Sequence, residues 1–246
     1  MKRLFLVSSL GTNIKIDGKR VPCEMDNSNG MVDILKSLLT TQNRLILISS
    51  NPVSYEINDE VQKITTESFK MSGFNFKEVI IIDQRNAFNM NDFIKDANLI
   101  FLCGGHVPTQ NTWFKEIKLR ETLQDYQGII IGGSAGAMNC ATDVYSCPEL
   151  EGEALDSNFK RWIKGLDLTH INVFPHYNEL ADEILDGLKY IDDIVLKDSF
   201  KNPIYTLNDG SFIEVNNSDI TIYGECSKIH NGKITKICDN HESIKI

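Results

Sequence analysis

Tyr126-Gln-Gly-Ile-Ile-Ile-Gly-Gly-Ser-Ala-Gly-Ala-Met-Asn-Cys140 decides the reading of this chain. Ile129 to Ile131 read as the end of a buried strand, and Gly132 and Gly133 break it. Ala135 to Met138 then have the small, helix-compatible side chains of a tightly packed helix start. Gly132-Gly133-Ser134-Ala135-Gly136 fits G-x-S-x-G, a pattern whose setting is a strand, a sharp turn and a helix. A serine held in a strained turn needs neighbours without bulk. The unpaired N–H groups of the helix start would face any anion forming beside its hydroxyl. Composition alone makes such a match no rarity, but the flanking residues spell the strand–turn–helix that the motif requires. Ser134 is therefore a candidate nucleophile, against the plainer reading of a packed serine.

Working outward, apolar runs alternate with amphipathic stretches. Arg3–Ser8, Arg44–Ser50, Glu78–Asp83 and Asn98–Cys103 read as strands that precede the Ser134 strand. Between them, Met31 to Leu39, Ile57 to Ile64, Asn91 to Ala97 and Trp113 to Leu123 carry helical spacing. Gly11 to Gly30 is polar and turn-rich, too long for a simple strand–helix loop, and reads as a surface excursion or a rim of the site. Near-continuous apolar strands alternating with helices imply a parallel sheet covered on both faces. Ligands of such sheets bind at the strand C-terminal ends, where both Gly-Gly turns, at 104 and 132, fall.

Beyond Ala141 the texture changes. Thr142 to Gly165 is polar, with an acidic patch at Glu149, Glu151, Glu153 and Asp156. Ile171 to Phe174 is a short strand ending in Pro175-His176-Tyr177, and Leu180, Ile184, Leu185, Leu188 and Ile191 predict a helix. Period-two character follows at Pro203–Leu207, Phe212–Val215 and Ile220–Tyr223, and Asn231-Gly232 marks a hairpin. These features give an α/β body with a C-terminal antiparallel β extension. Without a linker, repeat or low-complexity segment, residues 1–246 are expected to form a single α/β domain.

The totals agree. A formal charge of −9 argues against nucleic acid or an anionic membrane as the main partner. No run approaches the ~20 apolar residues of a membrane span. The N-terminal apolar run stops at Ser8 without a cleavage pattern, so it reads as a strand and not as a signal peptide. Six cysteines (Cys23, Cys103, Cys140, Cys147, Cys226, Cys238) lack C-x-x-C pairs, which suggests reduced thiols in a cytoplasmic enzyme and no zinc site.

A serine hydroxyl needs a base within hydrogen-bond reach. Of five histidines, His176 directly follows a predicted strand and shares the sheet edge with Ser134, which makes it the candidate base. His106, in the Gly104-Gly105 loop, is kept as a substrate-pocket residue, while His170, His230 and His241 lie away from that edge. A base histidine needs a carboxylate behind it. Asp209 follows a strand, with a hairpin-turn aspartate as its plain alternative. Glu149, the other candidate, could equally be one charge on a solvated loop. The N–H of Ala135 is the natural first oxyanion donor, with the Gly104-Gly105 turn as the second source. Cys103 and Cys140 sit inside apolar segments and read as buried thiols. No Lys follows Gly-Gly-Ser, which excludes a P-loop.

In this order these residues resemble the peptidase E family of serine peptidases, which includes aspartyl dipeptidases and cyanophycinase-like members. The resemblance rests on the Leu102-Cys-Gly-Gly105 turn with Thr109-Gln110, the Gly133-Ser134-Ala135-Gly136-Ala137 elbow, and Pro175-His176-Tyr177. It implies a flavodoxin-like core related to class I glutamine amidotransferases, with a nucleophile at Ser134 and a base at His176. The family's carboxylate after a late strand falls on Asp209, and an acidic position of the post-elbow loop falls on Glu149, so both remain open. Two departures stand out. The span 178–187, where family members specific for N-terminal aspartate carry Arg, has none here and several acids, and His106 replaces an expected third glycine. The expectation is a cofactor-free, metal-free serine peptidase acting on small peptides and not specific for N-terminal aspartate. A non-peptide esterase or amidase, or a silent ligand-binding member of the fold, are the alternatives. A homodimer fits such folds, and no residue in the sequence requires one.

Overall fold

A computed structural model describes residues 2–246. From the N-terminus, β1 (Arg3–Val7) leads into the hairpin of β2 (Asn13–Ile16) and β3 (Lys19–Pro22). Alternation follows: α1 (Met31–Leu38), β4 (Arg44–Ile48), α2 (Tyr55–Met71), β5 (Glu78–Ile82), α3 (Met90–Lys95) and β6 (Leu99–Leu102). Next come α4 (Val107–Glu116), α5 (Leu119–Asp125), β7 (Ile129–Gly133) and α6 (Ala135–Met138). The second half has shorter elements: β8 (Asp143–Tyr145), β9 (Trp162–Lys164), β10 (Asn172–Phe174), α7 (Tyr177–Leu180), β11 (Ile184–Leu185) and β12 (Leu188–Lys189). A π-helical turn, Tyr190–Val195, and α8 (Leu196–Asp198) precede the last strands. These are β13 (Ile204–Leu207), β14 (Phe212–Asn216), β15 (Asp219–Tyr223), β16 (Cys226–His230), β17 (Lys233–Cys238) and β18 (Ser243–Lys245).

Eight strands form the main sheet in the order β18-β15-β14-β1-β7-β6-β4-β5. The five from β1 to β5 in that order run parallel, and β14, β15 and β18 extend the sheet antiparallel. Along β5-β4-β6-β7 the order is the flavodoxin-like 2-1-3-4, and the N-terminal strand β1 supplies the next place. Alternation of side chains explains the unbroken apolar runs. Leu4, Leu6, Ile46, Ile48, Ile100 and Ile130 face one core, and Phe5, Val7, Leu45, Leu47, Leu99 and Ile131 face the other.

A second sheet, β10-β13-β16-β17, packs into the first of those cores through Val173, Phe174, Ile204, Leu207 and Ile229. Its pair β10–β13 is parallel, so the C-terminal ends of both strands emerge on the same side. That pairing brings the residues after Phe174 and after Leu207 next to each other.

Four local expectations change. The predicted helix through Leu180–Ile191 is instead α7, the β11–β12 hairpin and the π-helical turn. Asp186-Gly187, at φ 53° and 79°, closes that hairpin, and the Asp186 carboxylate accepts the N–H groups of Gly152 and Ala154. The Trp113–Leu123 helix is two helices, α4 and α5, broken where Lys118 adopts φ 51°. The excursion after Gly11 contains the β2–β3 hairpin, turned at Asp17-Gly18. Asp209 does not sit in a hairpin turn, because β13 and β14 belong to different sheets.

The Ser134 turn depends on close backbone approach. A Cβ added to Gly136 would stand 2.2 Å from the Leu102 carbonyl oxygen, and one at Gly132 2.7 Å from the Gly136 carbonyl oxygen. Alanine normally favours a helix over glycine by about 1 kcal/mol. Gly136→Ala is nevertheless expected to destabilise by about 1–3 kcal/mol through overpacking. For a chain of this size, Tm should then fall by about 2–4 °C per kcal/mol. A melt that leaves Tm unchanged or higher would show that α6 and β6 separate without cost.

Candidate active site at the strand ends

Five strand ends converge on one edge. Ser8 follows β1, Gly104 follows β6, Ser134 follows β7, His176 stands two residues past β10, and Asp209 two past β13. Ser134 occupies the sharp turn at φ 50° and ψ −118°, a conformation that costs a non-glycine residue about 1–3 kcal/mol. Its N–H donates to the Val7 carbonyl at 3.0 Å, and its carbonyl accepts from Ala137 and Met138, which fixes the turn from both sides.

His176 is also in a left-handed conformation, φ 55° and ψ 32°, at the start of α7. There its Nε2 lies 3.1 Å from Ser134 Oγ and its Nδ1 2.8 Å from Asp209 Oδ1. Asp209 accepts a hydrogen bond from Nδ1–H, so the carboxylate selects the tautomer whose Nε2 lone pair faces the serine hydroxyl. Asp209 is held in turn by Ser8, whose Oγ donates to Asp209 Oδ1 at 2.6 Å and accepts the His176 N–H at 2.8 Å. Asn208 completes the frame: its Oδ1 accepts the Asn178 N–H at 3.0 Å.

Charges follow from these contacts. The Asp209 hydrogen bond raises the His176 imidazole above its ordinary value against the opposing effect of burial, and the Asp209, Glu179 and Glu149 charges add to the rise. Burial works to raise Asp209, but the hydrogen bonds from His176 and Ser8 and the imidazolium charge outweigh it, leaving Asp209 below the usual carboxylate value. Glu149 differs. The residue is accessible to solvent, yet its carboxyl is crowded by protein atoms; that burial and the neighbouring Glu153 push it up to about 7. Its contact is the Cys147 thiol at 3.9 Å, and it makes no hydrogen bond to His176. Of the two carboxylates left open by the sequence, Asp209 is the one bonded to the imidazole.

The other expected site residues fall as follows. A Cβ on Gly104 would stand 3.1 Å from Ser134 Cβ, and one on Gly105 would collide with Ser50 at 2.5 Å. Gly104 thus brings bare backbone up to Ser134, and Gly105 does so to Ser50. The N–H groups of Ala135 and Gly105 have no acceptor among the described residues. His106 does not reach Ser134. Its Nδ1 pairs with Thr109 Oγ1 at 2.8 Å and its Nε2 with Glu153 Oε1 at 3.0 Å. Glu153 Oε2 accepts the N–H groups of Glu149 and Leu150, so His106 braces the acidic loop. His170 and His241 are exposed, and His230 is half-buried in β16. Burial pushes the Cys103 and Cys140 thiols well up, far from thiolate character.

Sequence reasoning missed Ser8. Its one signal was a hydroxyl at the end of an otherwise apolar strand, and it is fully buried. A cavity of about 290 Å³ opens beside Ser134 and His176, walled by Met138, Phe174, Leu180 and Tyr190, with Glu149 and Glu179 in its lining. Larger surface clefts, such as one of about 510 Å³ beside Asn43 and Arg44, lie at the opposite ends of the strands, away from these groups. Among the described residues, no group of three or more His, Cys, Asp or Glu side chains is placed to hold a metal ion. Nor is any described helix long and apolar enough to cross a membrane.

Two solved structures share the fold. A peptidase from an acI-B1 Actinobacterium superposes with a TM-score of 0.65 at 18% identity, covering 100% of this chain and 97% of that one. A Listeria monocytogenes EGD-e protein provisionally assigned to peptidase E gives a TM-score of 0.60 at 14% identity, covering 97% of this chain and 100% of its own. No curated protein matches the sequence significantly. The model of peptidase family S51 matches residues 24–223, a span that runs from before α1 to the end of β15 and includes Ser134, His176 and Asp209. The chain therefore belongs to peptidase family S51 and is a serine-type peptidase.

Proposed function

We propose that this peptidase hydrolyses short peptides with Ser134 as nucleophile, His176 as general base and then acid, and Asp209 as the carboxylate that orients and charges His176. The observation that carries the reading is the continuous relay from Ser134 Oγ through both ring nitrogens of His176 to Asp209, at 3.1 and 2.8 Å. In the acylation step Ser134 Oγ attacks the peptide carbonyl while its proton passes to Nε2. The imidazolium is stabilised by Asp209, which keeps its charge. The oxyanion is held by the N–H groups of Ala135 and Gly105, which have no acceptor among the described residues. Nε2 then protonates the leaving amine, and a water deprotonated by the same nitrogen releases the acid. Every proton is carried by this chain's own groups.

Peptides are favoured over other acyl substrates by membership of the family. Specificity for N-terminal aspartate is disfavoured by charge. The span 178–187 contains no Lys or Arg, and the cavity at Ser134 has Glu149 and Glu179 in its lining, so a substrate carboxylate would meet repulsion there. The core shared by both sheets supports one catalytic domain across the chain. Six unpaired cysteines, five of them buried, support a cytoplasmic setting.

A fluorophosphonate probe should label Ser134 in the native protein, and Ser134→Ala should lose both labelling and hydrolysis of a dipeptide library. Turnover by the alanine variant at more than about a thousandth of the wild-type rate would sink the mechanism. Asp209→Asn should lower kcat by about 10³–10⁴-fold, whereas Glu149→Gln should cost less than a tenth of that; the reverse order would give Glu149 the orienting role. The pH profile supplies a signed test. His176 must be neutral to accept the serine proton, and Asp209 is the main reason that its pKa is raised. The acid limb of kcat/KM should therefore lie above the ordinary ~6.5 in the wild type. It should move to lower pH in Asp209→Asn, and an unmoved limb would assign it to another group.

A further inference from the structure

The cavity beside Ser134 has a chemical character that the relay does not use. Its walls are the carbons of Met138, Phe174, Leu180 and Tyr190, and its lining contains two carboxylates, Glu149 and Glu179, with no Lys or Arg. The imidazole of His176 is the one basic group there. At about 290 Å³ it falls just below the ~300–1,000 Å³ of pockets that hold whole small-molecule ligands, a size suited to one long side chain.

The placement of Glu149 is built into the fold. Glu153 accepts the N–H groups of Glu149 and Leu150 at 2.8 and 3.0 Å, and His106 holds its other oxygen. Asp186 accepts the N–H groups of Gly152 and Ala154 at 2.7 and 2.9 Å, which anchors the same loop to the β11–β12 hairpin. Glu153 within the loop, with His106 and Asp186 from two distant segments, thus fixes a loop that sets a carboxyl in the lining of an apolar-walled cavity. Glu149 makes no ion pair with a Lys or Arg of the chain among the described residues, and crowding by protein atoms together with the Glu153 charge raises its pKa. A carboxylate set against apolar walls is stabilised by a paired cation, which a substrate side chain can supply.

We propose that this cavity is the specificity subsite and that it takes the side chain of a lysine- or arginine-like residue adjoining the scissile bond. The methylene stem lies against Met138, Phe174 and Leu180, and the ammonium or guanidinium head meets Glu149 and Glu179. An α-ammonium lacks the stem that the apolar walls call for, which is why the side chain is the better occupant. The inference rests on the assignment of Ser134 as nucleophile.

Peptide pairs that differ only in side-chain charge test it: Arg-Ala against citrulline-Ala, and Ala-Arg against Ala-citrulline. At pH 8 one pair should favour arginine by about tenfold or more in kcat/KM, the scale of one desolvated ion pair. Glu149→Gln and Glu179→Gln, which keep side-chain size, should each reduce that ratio at least threefold. Equal turnover within both pairs would overturn the proposal. So would a ratio that survives both substitutions, or a loss of all activity on N-acetylation with no arginine preference, which would assign the carboxylates to the α-ammonium. Calorimetry on Ser134→Ala with the same peptides separates this idea from the catalytic one. Tighter binding of the arginine member upholds the subsite even if Ser134 proves unreactive, and equal affinities reject it even if Ser134 is the nucleophile.

Discussion

One buried hydroxyl holds the site in register. Ser8 Oγ, at the end of β1, donates to Asp209 and accepts the backbone N–H of His176, so a single atom joins the main sheet to two loops of the second sheet. Both partners are in costly states: His176 has a left-handed backbone, and Asp209 is an ionised group drawn partly out of water. The hydrogen bond to the charged Asp209 is worth about 1.5–3 kcal/mol and the neutral one from the His176 N–H about 0.5–1.5 kcal/mol, comparable to the strain they offset. Without that joint, nothing else among the described hydrogen bonds would tie the His176 N–H down.

Two carboxyl groups near one imidazole are driven apart by their surroundings. Asp209 receives hydrogen bonds from His176 and Ser8 and sits low; Glu149 is crowded by protein atoms, faces Glu153 and sits high. The same chemical group is thus held towards its ionised form in Asp209 and towards its neutral form in Glu149. Environment, and not residue type, makes that distinction.

Much of this was legible in the sequence because strand ends carry the site. The G-x-S-x-G turn, the Pro-His after a short strand and the Asn-Asp-Gly after another each mark a place where a parallel strand stops, and parallel strands stop on the same side. Ser8 was not legible: a serine closing an apolar strand is common, and only the tertiary approach of β13 gives it partners. Leu180 to Ile191 misled because its apolar residues fall at helical spacing. Asp186-Gly187 overrides that pattern, since two successive residues with positive φ cannot continue a right-handed helix. Lys118 does the same between α4 and α5 without any turn-forming residue to announce it. The bond from His106 to Glu153 was not legible either, because its partner comes from 47 positions away, beyond the reach of local pattern.

The position of β1 has a consequence for the history of each molecule. Strand β1 lies between β7 and β14, and its Ser8 meets Asp209 across 201 positions of sequence. Contacts so distant along the chain close late in folding, after local helices and hairpins have formed. On the ribosome the Ser134 turn emerges long before Asp209, so an early serine has neither its tuned base nor its pocket. On the proposed mechanism, hydrolytic competence therefore waits for Asp209, and a chain truncated or arrested before that residue stays inert towards the peptides and nascent proteins around it.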